Sequence, residues 1–200
     1  MMTFDSFDFT LLDGILVVAA YLTGGLSTGY LLARTMRGID MRCIGSHGTG
    51  ASNVGRVLGR PGFMLTLAGD MAKASLVVGL AHWMECPSPV IGLVAVVLVA
   101  GNVWSVWLGF RGGKGIATGL GALLVLDYLV LIPGAITLLL IYLYSRNFTQ
   151  SWVVAAVLMP AIATLLEFPA FVVLSAAAIV AIAVYAHREN IRQEWFKGDD

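Results

Sequence analysis

Five stretches of this chain, 14–33, 86–110, 128–145, 147–166 and 168–187, carry no Asp, Glu, Lys or Arg. A helix crosses a hydrocarbon core of about 30 Å with about 20 residues, so runs of this length are what a membrane-spanning chain must contain. A sixth stretch, 61–84, is equally apolar apart from Asp70 and Lys73, three apart on one helical face. Such intramembrane charges neutralise each other or face the bundle interior. Composition agrees: charged residues are 12% of the chain and the mean hydropathy is +0.87, against roughly 25% charged in soluble domains. That excludes a soluble domain, and two Cys in 200 residues exclude a disulfide scaffold. The opening MMTFDSFDFTLLD is acidic and lacks a basic segment, so the run behind it reads as an uncleaved first span.

The number of spans turns on residues 116–144, an apolar stretch interrupted by Asp127 and by Pro133-Gly134. Two helices broken at Pro133-Gly134 give seven spans. Arg34, Arg37, Arg42, Arg56, Arg60, Arg111, Lys114, Arg146, Arg188, Arg192 and Lys197 then share one side, and the remaining basic residue, Lys73, lies within a span. One long helix gives six spans and moves Arg146, Arg188, Arg192 and Lys197 to the opposite side. The positive-inside rule favours seven. The sequence therefore predicts an all-α integral membrane protein, a single seven-span domain over 1–200, with spans near 12–33, 62–84, 88–109, 116–132, 134–145, 150–166 and 168–187. The N-terminus is expected outside and the C-terminus in the cytoplasm.

On this topology three polar segments meet at the cytoplasmic face. The first, GSHGTGASNVGR, holds Gly45, Ser46, Gly48, Thr49, Gly50, Ser52, Asn53 and Arg56. Glycines let backbone N–H groups converge, and hydroxyls, an amide and a guanidinium complete an anion cradle. Alone it reads equally well as a flexible turn. The second, FRGGKGIAT, places Gly112, Gly113 and Lys114 before an apolar helix, where a cation and a helix N-terminus suit a phosphate. It is not a Walker sequence, since Leu108 and Gly115 occupy its first Gly and Ser/Thr positions. The third, HRENI, puts His187 and Asn190 on one helical face. Taken alone it also fits a basic headgroup anchor, and the Trp residues near span ends fit an aromatic belt. Together the segments point to one or two phosphates on an amphiphilic substrate. A transporter fits less well, because its polar groups gather at the midplane. Three scattered His make no metal site, and Cys43 and Cys86 fall on opposite sides and cannot pair.

These four features, GSHGTGASNVGR, the D-x-x-K of Asp70 and Lys73, FRGGKGIAT and HRENI, occur in the order found in the bacterial acyl-phosphate:glycerol-3-phosphate acyltransferases, which the chain resembles over nearly its whole length. Ser46, Gly50, Asn53, Arg56, Gly112, Gly113, Lys114, Gly115, Ala117, Thr118 and the residues from His187 to Ile191 match the family pattern. Three positions of the first segment differ: His47 stands for Gly, Gly48 for Asn and Ser52 for Thr. Upstream of the second, the family's Gly-His-x-Phe-Pro is Gly101-Asn102-Val103-Trp104-Ser105.

The resemblance implies acyl transfer from acyl phosphate to the primary hydroxyl of glycerol 3-phosphate in an inner (plasma) membrane, giving lysophosphatidate and phosphate at the cytoplasmic face. No metal, cofactor or acyl-thioester carrier is implied. The implied partners are the two substrates and membrane lipid, with no nucleic acid. Ser46, Lys114, His187 and Asn190 become the expected catalytic residues. Gly45, Gly50, Ser52, Asn53, Arg56, Gly112, Gly113, Thr118 and Thr149, which stands for a family serine, are the expected substrate-binding residues. No Ser-His-Asp or Cys-His set is evident, which favours direct, substrate-assisted attack. The altered positions leave two further readings: a non-catalytic relative that binds phosphorylated lipid or a partner, and an acyltransferase with another acceptor.

Overall fold

The computed structural model describes residues 9–195; Lys197 lies outside them. Among the described residues eight α-helices follow one another: α1 (Leu11–Gly24), α2 (Thr28–Arg37), α3 (Ala51–Trp83), α4 (Ser88–Val103), α5 (Ile116–Asp127), α6 (Leu131–Ser145), α7 (Phe148–Leu165) and α8 (Ala170–Trp195). No strand occurs among the described residues. Six stretches are long and apolar enough to cross a membrane: Leu11–Arg37, Ala51–Trp83, Ser88–Leu108, Ile116–Ser145, Phe148–Leu165 and Ala170–Gln193. The protein is an all-α integral membrane protein.

Helix α4 is the hub and packs on α1, α3, α5 and α8. Its Val90, Val94, Ala95, Leu98 and Val99 are buried, whereas Leu76, Leu140, Leu165 and Leu174 on other helices face outward. That distribution suits lipid, which gives no hydrophobic gain for bringing helices together, so close backbone approach at small residues has to hold them. Between α1 and α4 the approach is reciprocal: a Cβ at Gly24 would collide with the Leu98 carbonyl oxygen, and one at Gly101 with that of Tyr21.

The first apolar run is interrupted by Gly25-Leu26-Ser27 between α1 and α2. Inside a bilayer every freed backbone group needs a protein partner. The Lys73 ammonium donates to the carbonyls of Gly24 (2.9 Å) and Leu26 (2.7 Å). Ser105 Oγ donates to the Gly25 carbonyl at 2.7 Å and Trp107 Nε1 to that of Leu22 at 2.8 Å. Asp70 accepts the Thr28 N–H at 3.3 Å and pairs with Lys73 at 3.0 Å. The two charges thus neutralise each other on the interior face while they satisfy the interrupted helix.

The long stretch Ile116–Ser145 is broken too, but not at Pro133-Gly134. A short 3₁₀ turn at Tyr128–Val130 separates α5 from α6, so the expected boundaries 116–132 and 134–145 move upstream. Asp127 is extended there, at φ −166° and ψ 102°, and its Oδ1 accepts the Leu129 N–H at 3.0 Å. Pro133 falls in the first turn of α6, where a missing N–H costs no helical bond. Asp127 is thereby a cap at a break. The start of α5 (Gly115, Ile116), the start of α6 (Leu131, Gly134) and the start of α7 (Phe148, Trp152) border one cavity. Helix α3 also begins earlier than the expected 62: Ala51–Leu58 form helical turns before a kink at Gly59, at φ 69° and ψ −165°.

Gly101→Leu should lower the thermal unfolding midpoint in detergent, by an overpacking cost of about 1–3 kcal/mol. Gly79→Ala, whose added Cβ would meet only Val125 Cγ1 at 3.8 Å, should leave that midpoint unchanged or slightly raised.

Candidate functional site

The connection from α2 to α3 is built around the amide of Asn53 in the first turn of α3. Its Nδ2 donates to the carbonyls of Ile44 and Gly48 at 2.8 Å and of Met41 at 3.2 Å. Its Oδ1 accepts the Ser46 N–H at 3.2 Å. One buried amide thus closes residues 41–48 into a fixed turn, which Gly45 enters at φ 61° with its α-carbon against Asn53 Oδ1. A Cβ at Gly45 would both clash and favour another backbone conformation.

The connection from α4 to α5 is pinned from below and from the side. Val103 and Asn102 carbonyls accept the N–H groups of Gly112 (3.0 Å) and Gly113 (2.9 Å), and the Gly112 carbonyl accepts Thr49 N–H at 3.3 Å. Arg42 joins the loops again: its Nη1 donates to the Leu108 carbonyl at 2.9 Å while it pairs with Asp40. The hydrogen bond from Arg42 holds the Asp40 carboxyl down at about 2. Helices α3 and α5 start with Gly50 and Gly115 as N-caps and no side-chain cap bond. No side chain therefore competes for their first N–H groups.

These loops and the end of α8 enclose a polar cavity of about 430 Å³, which Ser46, His47, Gly48, Gly112, Gly113 and Lys114 line with Arg42, Arg111 and Arg188. Among the described residues its lining includes no carboxylate. Lys114 passes over Gly48, with its Cε 3.5 Å from where a Cβ would stand, and its ammonium donates to Asn190 Oδ1. Burial, and then the nearby Arg56 guanidinium, push the Lys114 ammonium below the usual lysine range. His187, one turn before Asn190, donates Nδ1–H to the Ala183 carbonyl at 2.8 Å and lies edge-on to Trp152, with ring centroids 4.7 Å apart. That donation fixes the neutral ring as the tautomer with Nε2 available to accept.

A second, apolar cavity of about 320 Å³ begins at Gly115, the residue after Lys114, and runs between α5, α6, α7 and α8 past Leu123, Leu138, Trp152, Met159 and Ile179. Trp152 and Ala183, which His187 contacts, belong to this lining, and the neighbours of His187 in the chain, Ala186 and Arg188, line the polar cavity.

The expected residues thus fall into groups. Ser46, Gly112, Gly113 and Lys114 line the polar cavity; Asn190 holds Lys114, and His187 contacts Trp152 and Ala183 of the apolar lining. Gly45, Gly50 and Asn53 shape the first loop, with Asn53 buried and its amide bonded within that loop. Ser52 and Arg56 are exposed on the first turns of α3. Thr118 is fully buried in α5, with a hydroxyl that has no protein hydrogen-bond partner. Thr149, the second residue of α7, is half-buried and lies off both cavity linings.

Arg42, His47, Arg111 and Arg188 line the site without having been expected there. Arg111 and Arg188 lie within the second and third motifs, a signal the sequence did hold. Arg42 lies outside the motifs and reaches the cavity through the fold of the first loop. Among the described residues no group of three His, Cys, Asp or Glu could hold a metal ion.

The family model described as glycerol-3-phosphate acyltransferase matches residues 14–197. Glycerol-3-phosphate acyltransferase 1 of Desulfitobacterium hafniense (strain Y51) is 39% identical over 184 residues, covering 92% of this chain and 91% of that protein. The glycerol-3-phosphate acyltransferase of Geobacter sulfurreducens is 37% identical over 180 residues, covering 90% of this chain and 92% of its own. Among solved structures, the glycerol 3-phosphate form of the integral membrane acyltransferase PlsY (YgiH) superposes with a TM-score of 0.83 at 29% identity, covering 94% of both chains. Its lysophosphatidic acid form gives a TM-score of 0.82. With its motifs, its helical frame and its paired cavities, the chain belongs to the glycerol-3-phosphate acyltransferase family.

Proposed function

We propose that this enzyme transfers a fatty acyl group from acyl phosphate to the primary hydroxyl of glycerol 3-phosphate, releasing lysophosphatidate and inorganic phosphate. The observation that carries this reading is the abutment at Lys114–Gly115 of a cation-lined polar cavity and an apolar one. A mixed anhydride of a fatty acid and phosphate has those two halves, joined at the carbonyl under attack.

In this reading the acyl chain lies in the apolar cavity, and the phosphates of donor and acceptor lie among the cations and the first N–H groups of α3 and α5. Lys114, Ser46 and Asn190 hold and neutralise the leaving phosphate, and charge fixed in advance acts where charge develops. His187 Nε2 orients the acceptor hydroxyl. That oxygen attacks the acyl carbon, the bond to the phosphate oxygen breaks, and the hydroxyl proton leaves with the departing phosphate. Arg56, Ser52 and Gly50 bind at the start of α3, Gly45 and Asn53 keep the first loop in shape, and Gly112, Gly113 and Thr118 shape the second. Thr149 contributes from the start of α7. Alignment of two bound substrates supplies much of the acceleration, so no acyl-enzyme is needed.

The reading extends to topology. The break between α5 and α6 at Tyr128–Val130 supports seven crossings, with α1 and α2 together forming the first. Basic residues at the polar end support a cytoplasmic site in the inner membrane, with the N-terminus outside.

Lys114→Met should reduce phosphate release from acyl phosphate in the presence of glycerol 3-phosphate by about a thousandfold, the scale seen when a single transition-state donor is removed. A folded Lys114→Met enzyme with near-normal turnover would refute the site assignment. Because Lys114 acts as an ammonium whose proton is held less tightly than usual, activity should decline with rising pH below the usual lysine range. Arg56→Gln removes a repelling cation and should shift that alkaline limb upward in a pH–rate profile. Exposed Cys43 reports orientation: in a Cys86→Ser background, a membrane-impermeant maleimide should label it only after cells are permeabilised. Labelling in intact cells would invert the topology.

A further inference from the structure

The departures from the family pattern at Asn102 and Ser105 are not scattered losses, since both side chains bond to the interrupted first helix or to what holds it. Ser105 Oγ donates to the Gly25 carbonyl. Asn102 Oδ1 accepts from Lys73 Nζ at 3.1 Å, and Asn102 is buried, at 3% exposure. The Lys73 ammonium therefore has four oxygens around it: Gly24 and Leu26 carbonyls, Asp70 Oδ1 and Asn102 Oδ1. This is the arrangement of a bound cation, supplied here by a side chain.

Asn102 also touches the second loop. Its carbonyl accepts Gly113 N–H at 2.9 Å, and its Nδ2 lies 2.8 Å from where a Gly113 Cβ would stand. Gly113 directly precedes Lys114. We propose that Lys73, acting through Asn102, is a positioning residue for the Gly112–Lys114 loop, so that the buried Asp70–Lys73 pair sets the register of the transfer site. This inference rests on the acyl-transfer reading given above. It assigns a role in the reaction to three residues that lie outside both cavities.

Position 102 separates a positioning role from simple packing. Leu removes the acceptor for Lys73 while it suits an apolar interior, whereas Asp keeps an acceptor of the same shape but is costlier to bury. Positioning predicts that Asn102→Asp stays within about threefold of the wild-type kcat/KM for glycerol 3-phosphate. Asn102→Leu should lose about tenfold or more, the equivalent of one charge-assisted hydrogen bond. In a Lys73→Met background the advantage of Asp over Leu should disappear.

Hydrogen–deuterium exchange gives a readout independent of turnover. Amides of residues 112–116 should exchange about tenfold faster in Asn102→Leu than in the wild type, by the same single-bond estimate. The comparison at 102 stands even if Lys73→Met does not fold. Folded Leu and Asp variants of equal activity, a better Leu variant, or unchanged exchange at 112–116 would overturn the proposal. A wild-type enzyme that transfers nothing to glycerol 3-phosphate would instead refute the acyl-transfer reading, and the exchange comparison would still decide the positioning role.

Discussion

The constraint on which this fold rests is the satisfaction of backbone polar groups where water is absent. Interrupting a helix within a bilayer frees carbonyls and N–H groups that each cost several kcal/mol if left bare. Here the interruption at Gly25-Leu26-Ser27 is satisfied by Lys73 and Asp70 on α3 and by Ser105 and Trp107 just beyond α4, while Asn102 at the end of α4 accepts from Lys73. Burying two charges is costly in itself, and what offsets it is that neither is alone and each also bonds to backbone. The same contacts bring α1, α2, α3 and α4 to one point, directly beneath the two glycine-rich loops.

From that point the site is assembled by backbone more than by side chains. Asn53 closes the first loop through four hydrogen bonds, the carbonyls of Asn102 and Val103 hold the second, and Thr49 joins them. Little rotamer freedom is left in either loop. The glycines let the two loops pack closely, and α3 and α5 start without capping side chains. Lys114 sits between its two roles, covering Gly48 on one side and bonding Asn190 on the other.

Much of this was legible in the residues. Charge-free runs marked the helices, the three-residue spacing of Asp70 and Lys73 marked their pairing, and the glycine segments with Lys114 and Asn190 marked groups that the fold gathers in or beside the polar cavity. The break in the fourth long apolar stretch was legible only in kind. Pro133-Gly134 is the stronger breaker by residue type, yet Asp127 makes the turn, because proline is comfortable in a first helical turn and a carboxylate caps the 3₁₀ turn before it. The first-helix interruption left little trace, since Gly25-Leu26-Ser27 is apolar enough to pass for continuous helix.

Arg42 and His47 reach the polar cavity for reasons no spacing rule contains. His47 stands at φ 54°, in the left-handed region, with its Nδ1 3.1 Å from the Arg42 carbonyl. That conformation exists only because the whole turn is closed by Asn53. What the sequence by itself determined is the medium, the helices and the motif-borne groups of the site, because hydrophobic run length, charge placement and glycine content act locally along the chain. Which carbonyl the Lys73 ammonium finds, and how a polar and an apolar cavity come to adjoin at Lys114, were decided by tertiary structure alone. Each of those depends on groups from three or more helices satisfying one another at once.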